Sequence, residues 1–327
     1  MITSCTDFNS RVKRNGNSPL WVMVRKEISD QIRSWQFLVL LILISFTFFG
    51  SMYIAVNNLN ITVSSSEDPS DLLLYLKLLT TSDGSLPSFH VFISFLGPLL
   101  GISLGFNAVN AEQQNGTLIR IMAQPIYRDN LLLSKFISVT FLVSILFLSL
   151  TLLMVGGGLL ITGVPIEFEE LFRILLYILI CIFYVGFWFS LSMIFSIRFK
   201  QAATAAIASI GVWLFFTIFY HIILNVIASV LVPRSSPFPA NRIPWMADLL
   251  RMAPSQLYTD ASTTLLMPKI RSLGPMSIEQ MSGAIPNPLP IWDSLMIVWP
   301  QMSGLVSVTI VCFALAYYFF MRKEIKG

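Results

Sequence analysis

Six apolar runs, each long enough to cross a lipid bilayer, constrain this chain more than any other feature of its sequence. They cover residues 36–56, 89–110, 131–160, 171–196, 202–231 and 298–321. A bilayer core requires roughly 20 apolar residues per helix, and a helix satisfies its own backbone polar groups inside lipid. Only 12% of the residues are charged, whereas a soluble domain carries roughly 25%. The sequence therefore predicts an all-α, polytopic membrane protein with six transmembrane helices.

The residues before the first run predict a cytoplasmic tail followed by an amphipathic surface helix. Ser18-Pro19 is typical of a helix start. Trp21, Val24 and Ile28 then recur at spacings of three or four, while most charged residues fall on the opposite side. A solvated helix with no membrane role is the alternative, but tryptophans on the apolar face favour the membrane interface. We therefore divide the chain into residues 1–35 and a six-span membrane domain of residues 36–327.

The distribution of Lys and Arg predicts that both termini are cytoplasmic and that the protein is a multi-pass component of the cell membrane. With the N-terminus inside, segments 1–35, 111–130, 197–201 and 322–327 are cytoplasmic and carry most basic residues. The two short outer segments carry only Lys77 and Arg173 beside several carboxylates, as the positive-inside rule requires. A long, proline-rich outer loop of residues 232–297 joins spans five and six. Its apolar pieces at 245–252 and 261–267 predict short helices on the outer leaflet.

The sequence lacks the motifs of several enzyme, nucleotide-binding and metal-binding classes. We find no zinc-protease or serine-hydrolase motif, and the glycine pair Gly158 and Gly163 has P-loop spacing but is followed by Val164 instead of Lys. The three cysteines show no metal-ligand spacing, and the modest net charge of +4 does not point to nucleic acid. We expect no catalytic residues, metal site or cofactor in this chain. Since no ionisable residue lies in the middle of a span, ion-coupled transport is also disfavoured.

The polar segment between spans two and three carries the most specific pattern in the chain. Glu112, Gly116-Thr117, Pro125 and Arg128 occur in that order, and they resemble the cytoplasmic loop of permease subunits of ABC transporters of the ABC-two (exporter-type) class. Residues 252–258 and both ends of the last span are similar to the same family. Gln113 departs from the pattern, because the residue after the Glu is often Arg in the family. An ordinary solvated connector is the alternative explanation of this segment.

The resemblance implies a permease subunit that exports a substrate and pairs with a second copy of itself or a homologous permease. A separate ATPase subunit, which binds ATP and Mg, would dock on the cytoplasmic face. The loop at 111–130 would form a coupling helix, and Arg198 and Lys200 would add a smaller contact. A membrane scaffold or assembly factor that does not transport remains the alternative from another class. Lipid, peptide, drug and metal-maturation cargo are all open.

Spans two and five carry two further patterns. Gly97, Gly101 and Gly105 form a small-residue ladder that permits close approach of another helix. Thr217, His221 and Asn225 follow at steps of four and share a slowly winding face. The family resemblance places spans two and five near the dimer axis. Both sets are therefore predicted to line the pathway or the dimer interface, with membrane lipid around the remaining surface. Interhelical hydrogen bonds within one subunit are the alternative role of the polar residues.

Overall fold

The fold is built from helices joined by turns. The structure, a computed structural model, describes residues 19–63, 73–81, 87–117, 128–231, 248–268 and 290–322. These residues contain no β-strand, which confirms the predicted all-α class. In chain order the helices are α1 (Pro19–Ile32), α2 (Trp35–Val63), α3 (Leu74–Thr80), α4 (Phe89–Gly105), α5 (Asn110–Gln114), α6 (Arg128–Thr162), α7 (Phe168–Arg198), α8 (Ala202–Leu214), a π-helix (Phe215–Phe219), α9 (Tyr220–Leu231), α10 (Pro254–Leu266) and α11 (Ile291–Arg322).

Six helical stretches of the described chain are long and apolar enough to cross a membrane, which confirms the six predicted spans. They are Trp35–Asn57, Phe89–Gln114, Asp129–Thr162, Phe168–Arg198, Ala202–Ile227 and Ile291–Arg322. The last begins at Ile291 instead of residue 298, and Pro300 lies inside it. Such a proline is tolerated in a membrane helix because neighbouring groups satisfy the backbone that it leaves unpaired.

Span four, α7, is the centre around which the other helices pack. It contacts α4, α6, α8, α10 and α11. Its side chains Tyr184, Trp188 and Phe189 are fully buried. Aromatic residues of this size bury large areas and favour edge or offset ring contacts, and the rings of Tyr184 and Trp188 meet edge to face. The core is therefore formed by helices that pack around α7 and its large aromatic side chains.

The glycine ladder of α4 packs against this central helix. A Cβ on Gly101 would lie 2.6 Å from the carbonyl oxygen of Val185, and one on Gly105 would lie 2.7 Å from that of Phe189. The predicted close approach of a second helix is confirmed, but the helix belongs to the same chain. Gly97, Gly101 and Gly105 are buried in this contact, and their placement at the pathway or the dimer interface stays a prediction. The backbone of α7 leaves no room for a Cβ at Gly101 or Gly105, and the Tyr184 ring crowds one at Gly97.

Helix α10, which belongs to the predicted outer loop, is packed among the spans, whereas the sequence predicted short helices resting on the outer leaflet. Its Tyr258 hydroxyl donates to the carbonyl oxygen of His90 at 3.1 Å. The guanidinium of Arg173, fully buried, reaches Glu169 Oε1 at 2.8 Å and the Ser294 hydroxyl at 3.1 Å, and it donates to the carbonyl of Leu265 at 3.4 Å. These bonds tie α10 to spans two and four, and Arg173 links them to span six through Ser294.

Candidate functional site

The chain leaves span two through a tight turn and a short helix, α5, that ends at a glycine. Gly116 has φ +64°, a left-handed conformation that favours glycine at a helix end. The Thr117 hydroxyl donates to the carbonyl oxygen of Glu112 at 3.2 Å. The predicted segment therefore begins as a structured helical turn. Pro125 lies outside the described residues, and Arg128 is the first residue of α6.

The described start of the segment 111–130 lies beside residues 197–201, the other segment that the sequence singled out. The Ser196 hydroxyl oxygen accepts bonds from the backbone N–H groups of Val109 at 3.1 Å and Asn110 at 3.2 Å. The Asn110 amide nitrogen, turned toward them, donates to the carbonyls of Ser196 and Phe199 at 2.8 Å each.

A further hydrogen bond extends the contact beyond α5. Gln114 donates to the carbonyl oxygen of Lys200 at 3.4 Å. Arg198 and Lys200 have exposed side chains at the end of α7 and just after it. The start of segment 111–130 and residues 197–201 thus form one surface.

A buried lysine joins this surface to the N-terminal helix. Lys135 Nζ lies 2.9 Å from Glu27 Oε2 of α1 and 2.9 Å from Glu112 Oε1 of α5. All three residues are buried. Buried charges are costly unless they are paired and hydrogen-bonded, so the arrangement requires α1, α5 and α6 to stay together. We call Glu27, Glu112 and Lys135 the charge cluster.

A polar cleft of about 530 Å³ opens beside the charge cluster. Lys26, half exposed, lies 3.3 Å from Glu27 and 3.6 Å from both Asp30 and Glu112. Burial acts to lower the pKa of Lys26, but the carboxylates of Glu27, Glu112 and Asp30 together raise it above its ordinary value. Lys26 therefore remains a cation at neutral pH. Other walls of the cleft come from Ser34, Asn107, Asn115 and Thr117.

The sequence reasoning missed Glu27, which it placed with the charged residues of the solvated face of α1. Only 5% of Glu27 is exposed, and it packs with Met23 and Val24 toward α6. Trp21 and Trp35 are instead exposed on α1 and at the start of α2, where they suit a membrane interface. A signal was present, because Glu27 falls three residues after Val24 and one before Ile28, within the apolar stripe.

Span five is interrupted where its polar row passes through the membrane. The π-helix Phe215–Phe219 has wider turns closed by i→i+5 bonds, and such segments often occur at functional sites. Residues spaced at four wind slowly around an α-helix, and the wider turn of the π-helix counteracts this winding. Among the described residues, Trp213 Nε1 and Thr217 Oγ1 are enclosed without a hydrogen-bond partner. His221 is half-buried and Asn225 is exposed. Their placement on the pathway or dimer interface stays a prediction.

Comparison with known proteins finds similarity over most of the chain. The profile of a family described as "ABC-2 family transporter protein" matches residues 21–325. A probable ABC transporter permease protein NosY of Stutzerimonas stutzeri is 24% identical over 298 residues, which cover 89% of this chain and 97% of that protein. A probable NosY permease of Pseudomonas aeruginosa is 24% identical over 249 residues, which cover 73% of this chain and 79% of that protein.

Proposed function

The chain belongs to the ABC-2 family of transporter proteins, and from this premise we propose that it exports a substrate with energy supplied by a separate ATPase subunit. The ATPase binds ATP and Mg on the cytoplasmic side and docks on the surface formed by α5 and residues 197–201. A second copy of the chain completes the transport unit in the cell membrane, with both termini cytoplasmic. The chain itself carries out no hydrolysis.

One observation carries this proposal: the two inner segments are joined by hydrogen bonds into a single surface at the ends of spans two and four. Ser196, Asn110 and Gln114 make these bonds. A partner that moves this surface would move α4 and α7 together, because the glycines of α4 pack directly against the backbone of α7 and closely packed helices move as one body. Rigid-body motion at a subunit contact is an established way of transmitting a conformational change.

The proposal is tested with two glycines of equal backbone geometry on opposite ends of the membrane domain. Gly116 has φ +64° and Gly163 has φ +70°, and a Cβ on either would meet open space. The amide of each donates one helix-end bond, to Gln113 and Leu159 respectively. Proline fixes φ near −65° and removes this donor. Gly116→Pro and Gly163→Pro therefore impose the same local damage at the proposed docking surface and at a remote turn.

Each full-length variant is purified with an affinity tag, and the bound ATPase is identified by its nucleotide-binding motif in mass spectrometry. We expect Gly116→Pro to insert in the membrane normally and to lose most of the bound ATPase. The control Gly163→Pro should retain it. If both variants retained the same amount of ATPase, the assignment of the docking surface would be wrong. If the wild-type chain bound no ATPase, the proposed function would be wrong.

A further inference from the structure

One oxygen of the buried Glu112 carboxylate has no hydrogen-bond donor in the described part of the chain. Its Oε1 accepts from Lys135 at 2.9 Å, and Lys26 lies 3.6 Å away. Its Oε2 is enclosed and unpartnered, although only 8% of the residue is exposed. A buried carboxylate oxygen without a donor is costly, and such atoms in native structures call for an explanation.

The cleft beside Glu112 is short of one positive charge. Its lining contains the two cations Lys26 and Lys135 and the three carboxylates Glu27, Asp30 and Glu112. Lys135 is already bound to two of these carboxylates, and Lys26 is shared among all three. The lining therefore favours an occupant that carries one positive charge and N–H donors.

We propose that this occupant is an arginine or lysine side chain of the ATPase subunit, which enters the cleft and donates to Glu112 Oε2 once the carboxylate turns to face it. This inference rests on the proposed function, since Asn115 and Thr117 of the proposed docking segment form part of the cleft wall. A volume of about 530 Å³ accommodates a long side chain with its ordered water. Arginine suits the site best because its planar fork binds carboxylates with two donors.

The lining also argues against a phospholipid as the occupant. Ser34, Gln31, Asn107 and Asn115 line the cleft with the charged residues, and the apolar contributions are confined to Leu104, Ala108 and Ala111. An acyl chain would find no continuous apolar track there. A basic residue of the chain's own inner loop is the other source of a cation. Arg120 stands eight positions after Glu112 in the sequence, so the experiment includes it.

The first measurement compares Glu112→Gln with Glu27→Gln. Each variant removes the charge of one of the two carboxylates bound to Lys135. Only Glu112→Gln alters the carboxylate whose Oε2 has no hydrogen-bond donor. We expect ATPase affinity, measured on the purified full-length chain in detergent, to fall about tenfold or more for Glu112→Gln, as loss of a charge-assisted hydrogen bond implies. Glu27→Gln should weaken it clearly less, since this variant removes one charge from the cleft but leaves the oxygen that accepts the proposed bond. Equal weakening by both would show that the cluster acts only through folding, and no weakening by either would also overturn the proposal.

The second measurement identifies the occupant. A photo-crosslinking amino acid replaces Asn115, which is exposed on the cleft wall, and a control variant carries it instead at Arg25, exposed on α1. We expect only the first to crosslink an ATPase peptide that contains Arg or Lys. Changing that residue to Gln should weaken binding to the wild-type chain and should add little to the loss already caused by Glu112→Gln. A lipid adduct, a crosslink within this chain, an Arg120→Gln phenotype equal to Glu112→Gln, or additive losses in the double variant would overturn the proposal.

Discussion

At the scale of single residues, Gly101 lies at one of the tightest helix contacts of the described core. An added Cβ would lie 2.6 Å from the Val185 carbonyl oxygen, 2.9 Å from the Phe189 nitrogen and 2.9 Å from the Trp188 Cβ. Two of these three neighbours are backbone atoms of the central helix, which cannot rotate away. We expect Gly101→Ala to destabilise the protein by about 1–3 kcal/mol, the usual cost of overpacking.

The control for this prediction is Gly50→Ala, the same substitution in the first span. A Cβ on Gly50 has nothing within 4 Å, and alanine is the better helix former. Thermal unfolding in one detergent should therefore show a lower midpoint for Gly101→Ala and an unchanged or higher midpoint for Gly50→Ala. If both variants matched the wild type, α4 and α7 would not pack as closely as described.

At the scale of elements, helix α10 carries a buried carboxylic acid. Burial raises the pKa of Asp260 above its ordinary value, although a bond from the Gln256 amide at 2.6 Å and the charge of Arg251 act to lower it. A group whose pKa is raised on folding contributes stability that is complete below its ordinary pKa and is lost as the pH rises through the raised pKa. We expect the docked α10 to weaken as the pH rises from about 4 toward neutrality.

Substitution of Asp260 by Asn should remove this part of the pH dependence, since Asn keeps the oxygen that accepts from Gln256 and cannot ionise. The unfolding midpoint of Asp260→Asn should then exceed that of the wild type at pH 8 and approach it at pH 4. Asp248→Asn is the control, because the Asp248 side chain is 73% exposed. An identical pH profile for wild type and Asp260→Asn would contradict the assignment.

At the scale of the whole molecule, the orientation in the membrane follows from the asymmetry of basic residues and is open to direct labelling. In a background without Cys5, Cys181 and Cys312, single cysteines are introduced at Asn115, Ser235 and Asn287. An impermeant maleimide added to intact cells should label the last two and spare the first. Ser235 and Asn287 lie outside the described residues, so these sites test the sequence-based orientation. Labelling of Asn115 from outside would reverse it.

The assembly of two subunits makes a separate prediction for span five. A cysteine at Asn225, which is exposed on this span, should crosslink to its counterpart in a second subunit. His221→Ala should alter ATPase stimulation with little loss of stability, since interhelical hydrogen bonds in membranes average about 0.6 kcal/mol. A cysteine at Phe141, half-exposed on span three, is the control and should not crosslink. No crosslink at Asn225 and unchanged activity of His221→Ala would restrict these residues to contacts within one subunit.

The number of spans, the helical class and the family were determined by the sequence by itself, for a local reason. Twenty apolar residues in a row dictate a membrane helix whatever surrounds them. The sequence also singled out Glu112, Gly116 and Thr117, because a polar segment with a helix-ending glycine between two spans is a local pattern; their coupling role stays a prediction. The sharing of one surface by α5 and residues 197–201 was only implied by the family resemblance.

Other features were decided only by the tertiary structure. The charge of Glu27 predicted a solvated position, yet Lys135, more than a hundred residues later, supplies the cation that allows its burial. The glycine ladder predicted that another helix packs closely against α4 but did not identify that helix. Small residues are needed for close packing whether the neighbour is α7 of the same chain or a helix of a second subunit. The composition of the proline-rich loop did not predict that Arg173, itself bonded to Ser294, would bond to the carbonyl of Leu265 and hold α10 among the spans. In each case the outcome depends on which distant group fills the space beside a residue, and no local pattern contains that information.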